Sequence, residues 1–174
     1  MRRKLIMVLL ILGMFLLQST VFPALPIPVT PNLLLILTVS FGFMHGKRSG
    51  LWIGFFCGLL IDIFYSNLFG FNALIYMYIG YMNGMLYKVF FDNDIKVPML
   101  LVTVSDLAYN LVYYVFQFAF RERFQFSSYL KQTILPEIIF TLILTILLYH
   151  VFYIINKKLM ATEMEEQQSL WLRK

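Results

Sequence analysis

Charge is scarce in this chain, and almost none of it falls where the apolar residues run. Asp, Glu, Lys and Arg make up 13% of the 174 residues, about half the share of an ordinary soluble domain. The long apolar stretches contain no Lys or Arg except Lys88, near the end of one of them. These shortages leave no room for a soluble enzyme domain. Cysteine is as rare: Cys57 stands alone, so no intrachain disulfide is available. The two histidines, His45 and His150, lie far apart in sequence. HExxH, GxSxG and glycine-rich phosphate-loop patterns are absent. No catalytic residue, metal site or cofactor is expected, and the chain reads as a non-enzyme.

What is present is apolar. Hydrophobic residues make up 60% of the chain, mean hydropathy is +0.77, and stretches of about 20 apolar residues recur almost end to end, the mark of transmembrane helices. The 18 Phe and 11 Tyr suit a membrane bundle with interfacial aromatics, and a stripe such as Tyr76–Tyr78–Tyr81 reads as packing. The formal net charge of +5 sits between and beyond the apolar stretches, which points to anionic lipid and not to nucleic acid.

The pattern predicts an all-α bundle of six membrane spans at about 5–22, 29–44, 50–65, 71–91, 97–120 and 132–155, with a tail at 156–174. Arg2-Arg3-Lys4 before Leu5–Leu17 resembles the start of a secretory signal. The following Gln18–Pro23 offers no small-x-small cleavage site, so a retained first helix is expected. Pro23, Pro26, Pro28 and Pro31 force an extended connection to the second span. With both termini cytoplasmic, 11 of the 14 Lys and Arg lie inside, and only Arg121, Arg123 and Lys131 lie outside, as the positive-inside rule prefers. Within the tail, Leu159–Leu172 has the pattern of a short amphipathic helix.

Gly50, Gly54, Gly58 and Asp62 are four residues apart and form one stripe of the third span, while Gly80 and Gly84 repeat the spacing on the fourth. Small residues at this spacing let helix backbones approach closely in lipid. A glycine-packed hairpin of spans three and four is expected, with Gly70 in its turn and Asn83 on the adjoining flank.

Asp62, Asp106 and Glu137 are the exceptions to the rule that charge avoids the spans. A carboxylate at mid-bilayer costs about 2.5–3.5 kcal/mol on insertion scales, so it is kept where protein gives it a partner. Asp62 fits two readings: an acceptor that fixes the turn Ser66–Gly70, or a ligand or proton site. Asp106 begins a polar stripe with Asn110 and Gln117, flanked by Tyr109 and Tyr113, whose hydroxyls can donate to a carboxylate. It serves either as structural glue or as part of a polar cavity or partner contact. Glu137 follows Pro136 in the first turn of span six, where proline and a negative charge both suit a helix start. Arg121, Arg123 and Lys131 are its candidate cationic partners.

Three blocks carry a family resemblance: Pro31-Asn32-Leu33-Leu34-Leu35; Gly54 through Asp62; and Leu68-x-Gly70-x-x-Ala73-Leu74. With the six-span layout and the late Leu135-Pro136, they resemble the rod shape-determining protein MreD family over nearly the whole chain. The resemblance implies a fold similar to the S components of energy-coupling-factor transporters. It also implies a non-enzymatic inner-membrane scaffold of the bacterial cell-elongation machinery. Such a scaffold binds MreC and, directly or through it, links MreB filaments to RodA and its class B penicillin-binding transpeptidase. Pro31, Gly54, Gly58, Asp62, Gly70 and Pro136 match the family pattern; Asp106 and Glu137 do not belong to it. A competing reading is a solute-binding subunit of a transporter of that type, with Asp62, Asn72, Asp106, Asn110 and Glu137 as pocket candidates.

Overall fold

The computed structural model describes residues 2–25, 29–66, 68–86, 96–119 and 130–171. Among them lie six main helices and no strand. Helix α1 (Arg2–Leu16) continues through a π turn, Leu17–Val21, and a final turn, Phe22–Ala24. It is followed by α2 (Leu33–His45), α3 (Lys47–Tyr65), α4 (Phe71–Met85), α5 (Lys96–Ala119) and α6 (Leu135–Trp171), the last led in by a π turn at Leu130–Ile134. The expected end of span four at 87–91, the acidic segment Asp92–Asp94, Pro26, Pro28, Arg121 and Arg123 lie outside the described residues.

Four stretches are long and apolar enough to cross a membrane: Leu5–Ala24, Lys47–Tyr65, Lys96–Phe116 and Leu135–Ile155. The other two helices are shorter. Helix α2 has 13 residues and α4 has 15, about 20 and 22 Å at 1.5 Å per residue, against a hydrocarbon core of about 30 Å.

Position explains the short α2. Every residue from Leu33 to Met44 is buried, and α2 packs against all five of the other helices. A helix touching protein on all sides need not match the thickness of lipid, and an all-round apolar sequence suits such a core position. The α3–α4 hairpin flanks α2, α5 and α6 pack against it and each other, and α1 lies against α2 and α3. Outer faces stay apolar and exposed, for example Leu9, Leu12 and Leu16 on α1, Trp52 and Phe56 on α3, and Ile143 and Leu147 on α6.

The turns follow from local chemistry. Leu25 precedes a proline and is extended, φ −86° and ψ 147°, as the steric demand of proline requires. Between α2 and α3 a single residue, Gly46, turns the chain at φ 84°. At the far end of the hairpin Gly70 takes φ 93°, and a Cβ there would meet open space. What calls for glycine at this position is therefore the left-handed backbone that opens α4.

The glycine hairpin is built by backbone contact. A Cβ on Gly50 would collide with the Gly80 carbonyl, one on Gly54 with the Tyr76 carbonyl, and one on Gly58 with the Asn72 carbonyl. A Cβ on Gly84 would lie 2.6 Å from Lys47 Cα. Gly42 of α2 joins them, since its Cβ would lie 2.9 Å from the Gly80 carbonyl oxygen. The junction is therefore three helices deep, and Gly42 was not among the expected packing residues.

The apolar part of the last helix ends at Ile155, the expected end of span six. No Gly or Pro occurs between Asn156 and Trp171, so nothing stops α6 there, and it runs on into the tail, unbroken for 37 residues.

Gly80→Ala is expected to lower the thermal unfolding midpoint of the detergent-purified protein, at a cost of about 1–3 kcal/mol for forcing atoms into a filled seam. Gly13→Ala should leave the midpoint unchanged, because nothing lies within 4 Å of its Cβ position. Equal midpoints for the two variants would contradict the seam.

Candidate functional site

Asp62 ends the glycine stripe and is 2% exposed. Its carboxylate receives four hydrogen bonds from the start of α4. Gly70 N and Ala73 N donate to Oδ2 at 3.0 and 2.8 Å, while Asn72 N and Asn72 Nδ2 donate to Oδ1 at 3.0 and 2.9 Å. The first N–H groups of a helix lack partners within it, and they carry the positive end of its dipole. Asp62 answers both needs from the neighbouring helix. The geometry is that of an acceptor locking the α3–α4 turn.

Asn72 passes the connection on, its Oδ1 accepting from Tyr109 OH of α5 at 3.0 Å. The Tyr109 hydroxyl thus serves Asn72, where the sequence suggested a donor to Asp106. A second branch starts at α2. Tyr76 OH donates to Asn32 Oδ1 at 2.6 Å, and Asn32 N donates to Thr141 Oγ1 of α6 at 3.3 Å. Thr141 O in turn accepts from Thr145 Oγ1 at 2.6 Å.

The start of α2 is fully accounted for. Leu33 N donates to Pro31 O at 3.1 Å, Leu34 N to Gln18 Oε1 of the α1 extension at 3.1 Å, and Leu35 N to Asn32 Oδ1 at 3.3 Å. Gln18, Asn32, Asp62, Asn72, Tyr109 and Thr141 put one polar residue from or beside each helix into this web. Asp62–Asn72–Tyr109 forms one hydrogen-bonded branch and Tyr76–Asn32–Thr141 another, the two meeting where the Tyr76 and Tyr109 rings pack edge to face. Sequence reasoning missed four of its members: Gln18, Asn32, Tyr76 and Thr141. The signal was a polar or hydroxylated residue at the edge of an apolar run or within its first two turns.

The web borders a cleft of about 300 Å³ at the end of the bundle remote from Arg2 and Trp171. Its walls include Gln18, Asn32, Asn72, Tyr76, Tyr109 and Glu137, with Phe15, Tyr65 and Tyr113 adding aromatic surface. Of the residues named from the sequence, Asn72 and Glu137 line the cleft, while Asp106 and Asn110 lie just behind it. Asp62 is held by the web, and Gly50, Gly54, Gly58, Gly80 and Gly84 belong to the hairpin seam. Pro136 sits in the first turn of α6. The Gln117 side chain and that of Lys131 lie outside the described residues. At the other end of the bundle, Asn83 Nδ2 of α4 bridges to Ser105 Oγ of α5 at 2.9 Å.

Asp106 differs from Asp62. It is 0% exposed, and neither carboxylate oxygen has a hydrogen-bond partner among the described residues. Thr141 and Asn32 lie beside it, near enough to act as weak donors, but neither makes a well-formed hydrogen bond to its oxygens. Asn110 Nδ2 turns back to the Asp106 backbone carbonyl at 3.1 Å. Glu137 is near enough to feel the Asp106 charge and lies within reach of the Asn110 amide. Glu137 thus faces another carboxyl across the bundle in addition to opening α6.

The two aspartates should respond differently to the same change. Asp62→Asn leaves helix N–H donors facing an amide, at about 1–3 kcal/mol for each unmet donor, and is expected to lower the unfolding midpoint clearly. Asp106→Asn removes no hydrogen bond from the carboxylate and should leave the midpoint equal or higher. Thermal unfolding followed by size-exclusion recovery checks both; a larger loss for Asp106→Asn would reverse the assignment.

No curated protein and no solved structure matches the chain. The family model described as rod shape-determining protein MreD matches residues 1–160. That match covers all six helices up to the extension of α6, so the chain belongs to the MreD family of multi-pass membrane proteins.

Proposed function

We propose that this chain is a non-enzymatic scaffold of the cell-elongation machinery in the inner membrane, binding MreC and through it coupling MreB filaments to peptidoglycan synthesis by RodA and its class B transpeptidase. The family match over residues 1–160 carries this reading, because a role in determining rod shape belongs to the family. The architecture supports it: almost all of the described chain is helix, and the outer faces are apolar.

In this reading all six helices cross the membrane, including the short α4 and the short α2, whose burial removes the need for full length. The helices alternate in direction. The cleft is lined from the C-terminal ends of α1 and α3, the N-terminal ends of α2, α4 and α6, and the C-terminal half of α5. With 11 of 14 basic residues on the side of the termini, both ends are cytoplasmic and the cleft opens outward.

The glycines of α3 and α4 are occupied by each other, so a partner helix has to dock on another face. Gly58→Leu is expected to act through the fold: it separates the hairpin, abolishes co-purification of MreC and turns rod-shaped cells round. Normal shape and normal MreC recovery with this variant would refute the scaffold reading. The transporter-subunit reading has one observation in its favour, the cleft itself.

A further inference from the structure

The cleft holds an electrostatic imbalance that the fold does not resolve. Asp62 is saturated by four donors, whereas Asp106 is fully buried with both oxygens unpartnered. Glu137 lines the cleft close to it. Among the described residues no Lys or Arg lines this cavity, and none occurs within residues 5–46, 49–87, 97–120 or 132–156, so the helix segments that carry these acids supply no cation of their own.

A buried acid that stays charged in a bilayer needs a counter-charge or strong donors; without them it is held only as the neutral acid. The rest of the lining matches one kind of ligand. Tyr65, Tyr76, Tyr109, Tyr113 and Phe15 put aromatic rings around the space, with Tyr76 and Tyr109 edge-to-face at 5.3 Å and Tyr109 stacked on Tyr113 at 5.9 Å. Ring faces attract organic cations, most strongly where water is excluded. A metal ion fits less well, since no group of three His, Cys, Asp or Glu side chains converges among the described residues. The volume, about 300 Å³, is at the low end of small-molecule sites, about 300–1,000 Å³.

We propose that the cleft binds a small organic cation, an alkylammonium or guanidinium group, with its charge toward Glu137 and the Asp106 behind it and its carbon skeleton against the tyrosine rings. The site is independent of the scaffold reading and holds whether or not the chain binds MreC. Two sources share the chemistry: a soluble amine, or the ammonium headgroup of an aminophospholipid at the membrane surface.

The test uses the full chain in nanodiscs of phosphatidylglycerol alone, with n-butylammonium as probe and butyramide and butyrate as neutral and anionic controls of similar size. A saturable rise in melting temperature with n-butylammonium alone is expected. Glu137→Gln should weaken its apparent Kd about tenfold or more, the consequence of removing one partner of a desolvated charge pair. Asp106→Asn, which removes no hydrogen bond from the carboxylate, should weaken it as well. Gly13→Ala should leave it unchanged.

A rise with n-butylammonium in these nanodiscs assigns the site to a soluble amine. A melting temperature raised only when phosphatidylethanolamine is added, and lowered again by Glu137→Gln, assigns it to the lipid headgroup. An equal response to butyramide, no response to either ammonium source, or an unchanged response in both Glu137→Gln and Asp106→Asn would overturn the proposal.

Discussion

In hydrocarbon a polar group has no water to fall back on, so each one must be satisfied by the chain itself, and this requirement organises the molecule. It is most pressing at the start of α2, a helix enclosed on every side. Three of its N–H groups are met by Pro31, Gln18 and Asn32, so the central helix is tethered to α1 at one point. Asn32 also receives the Tyr76 hydroxyl and donates through its own backbone to Thr141. One residue at the edge of the buried helix thereby sets the positions of α4 and α6 relative to α2. Remove the requirement for internal satisfaction, and little would define that end of the bundle.

The two ends of the α3–α4 hairpin are held by different physics. Along most of its length the contact is steric, glycine against backbone, with van der Waals packing as the attraction, since apolar side chains gain nothing by leaving lipid for protein. At the turn the contact is electrostatic, four N–H donors on one carboxylate. The combination defines register as well as proximity. A glycine stripe alone tolerates sliding by a turn, but Asp62 can meet Gly70, Asn72 and Ala73 in one alignment only. That alignment also presents Asn72 to Tyr109, which extends the order of the hairpin to α5.

The hairpin was the most legible part of the sequence, because glycines four residues apart mark a helix face in any environment. Asp62 was legible for the same reason, as a charge at the end of that face. The centrality of α2 was not legible. Leu33–Met44 is apolar all round, and a side chain facing lipid has the same composition as one facing protein. Asn32 and Tyr76 were obscured differently: each looks ordinary beside a proline-rich loop or in an aromatic run, and only the approach of α2 to α4 joins them. The tail helix reads from sequence as a separate short element and is continuous with α6, because a change from apolar to charged composition marks where lipid ends, which need not be where helix ends.

Asp62 and Asp106 show how burial alone misleads as a guide to role. Both are almost wholly inaccessible, and both carry an insertion penalty, about 2.5–3.5 kcal/mol at mid-bilayer and less for Asp62 near the helix end. For Asp62, four short hydrogen bonds offset that penalty, and the return is visible in the structure as a fixed turn. For Asp106 no well-formed hydrogen bond reaches the oxygens, and only Asn32 and Thr141 lie beside them, so the helices offset far less of the penalty. An acid that stabilises a fold is surrounded by donors; an acid that the fold merely carries is not. The residue next to Asp106 that opens onto the cleft is another acid, Glu137, which raises the electrostatic cost instead of lowering it. Two such groups placed together, beside a space lined with tyrosine, are explained by what enters that space better than by what holds its walls.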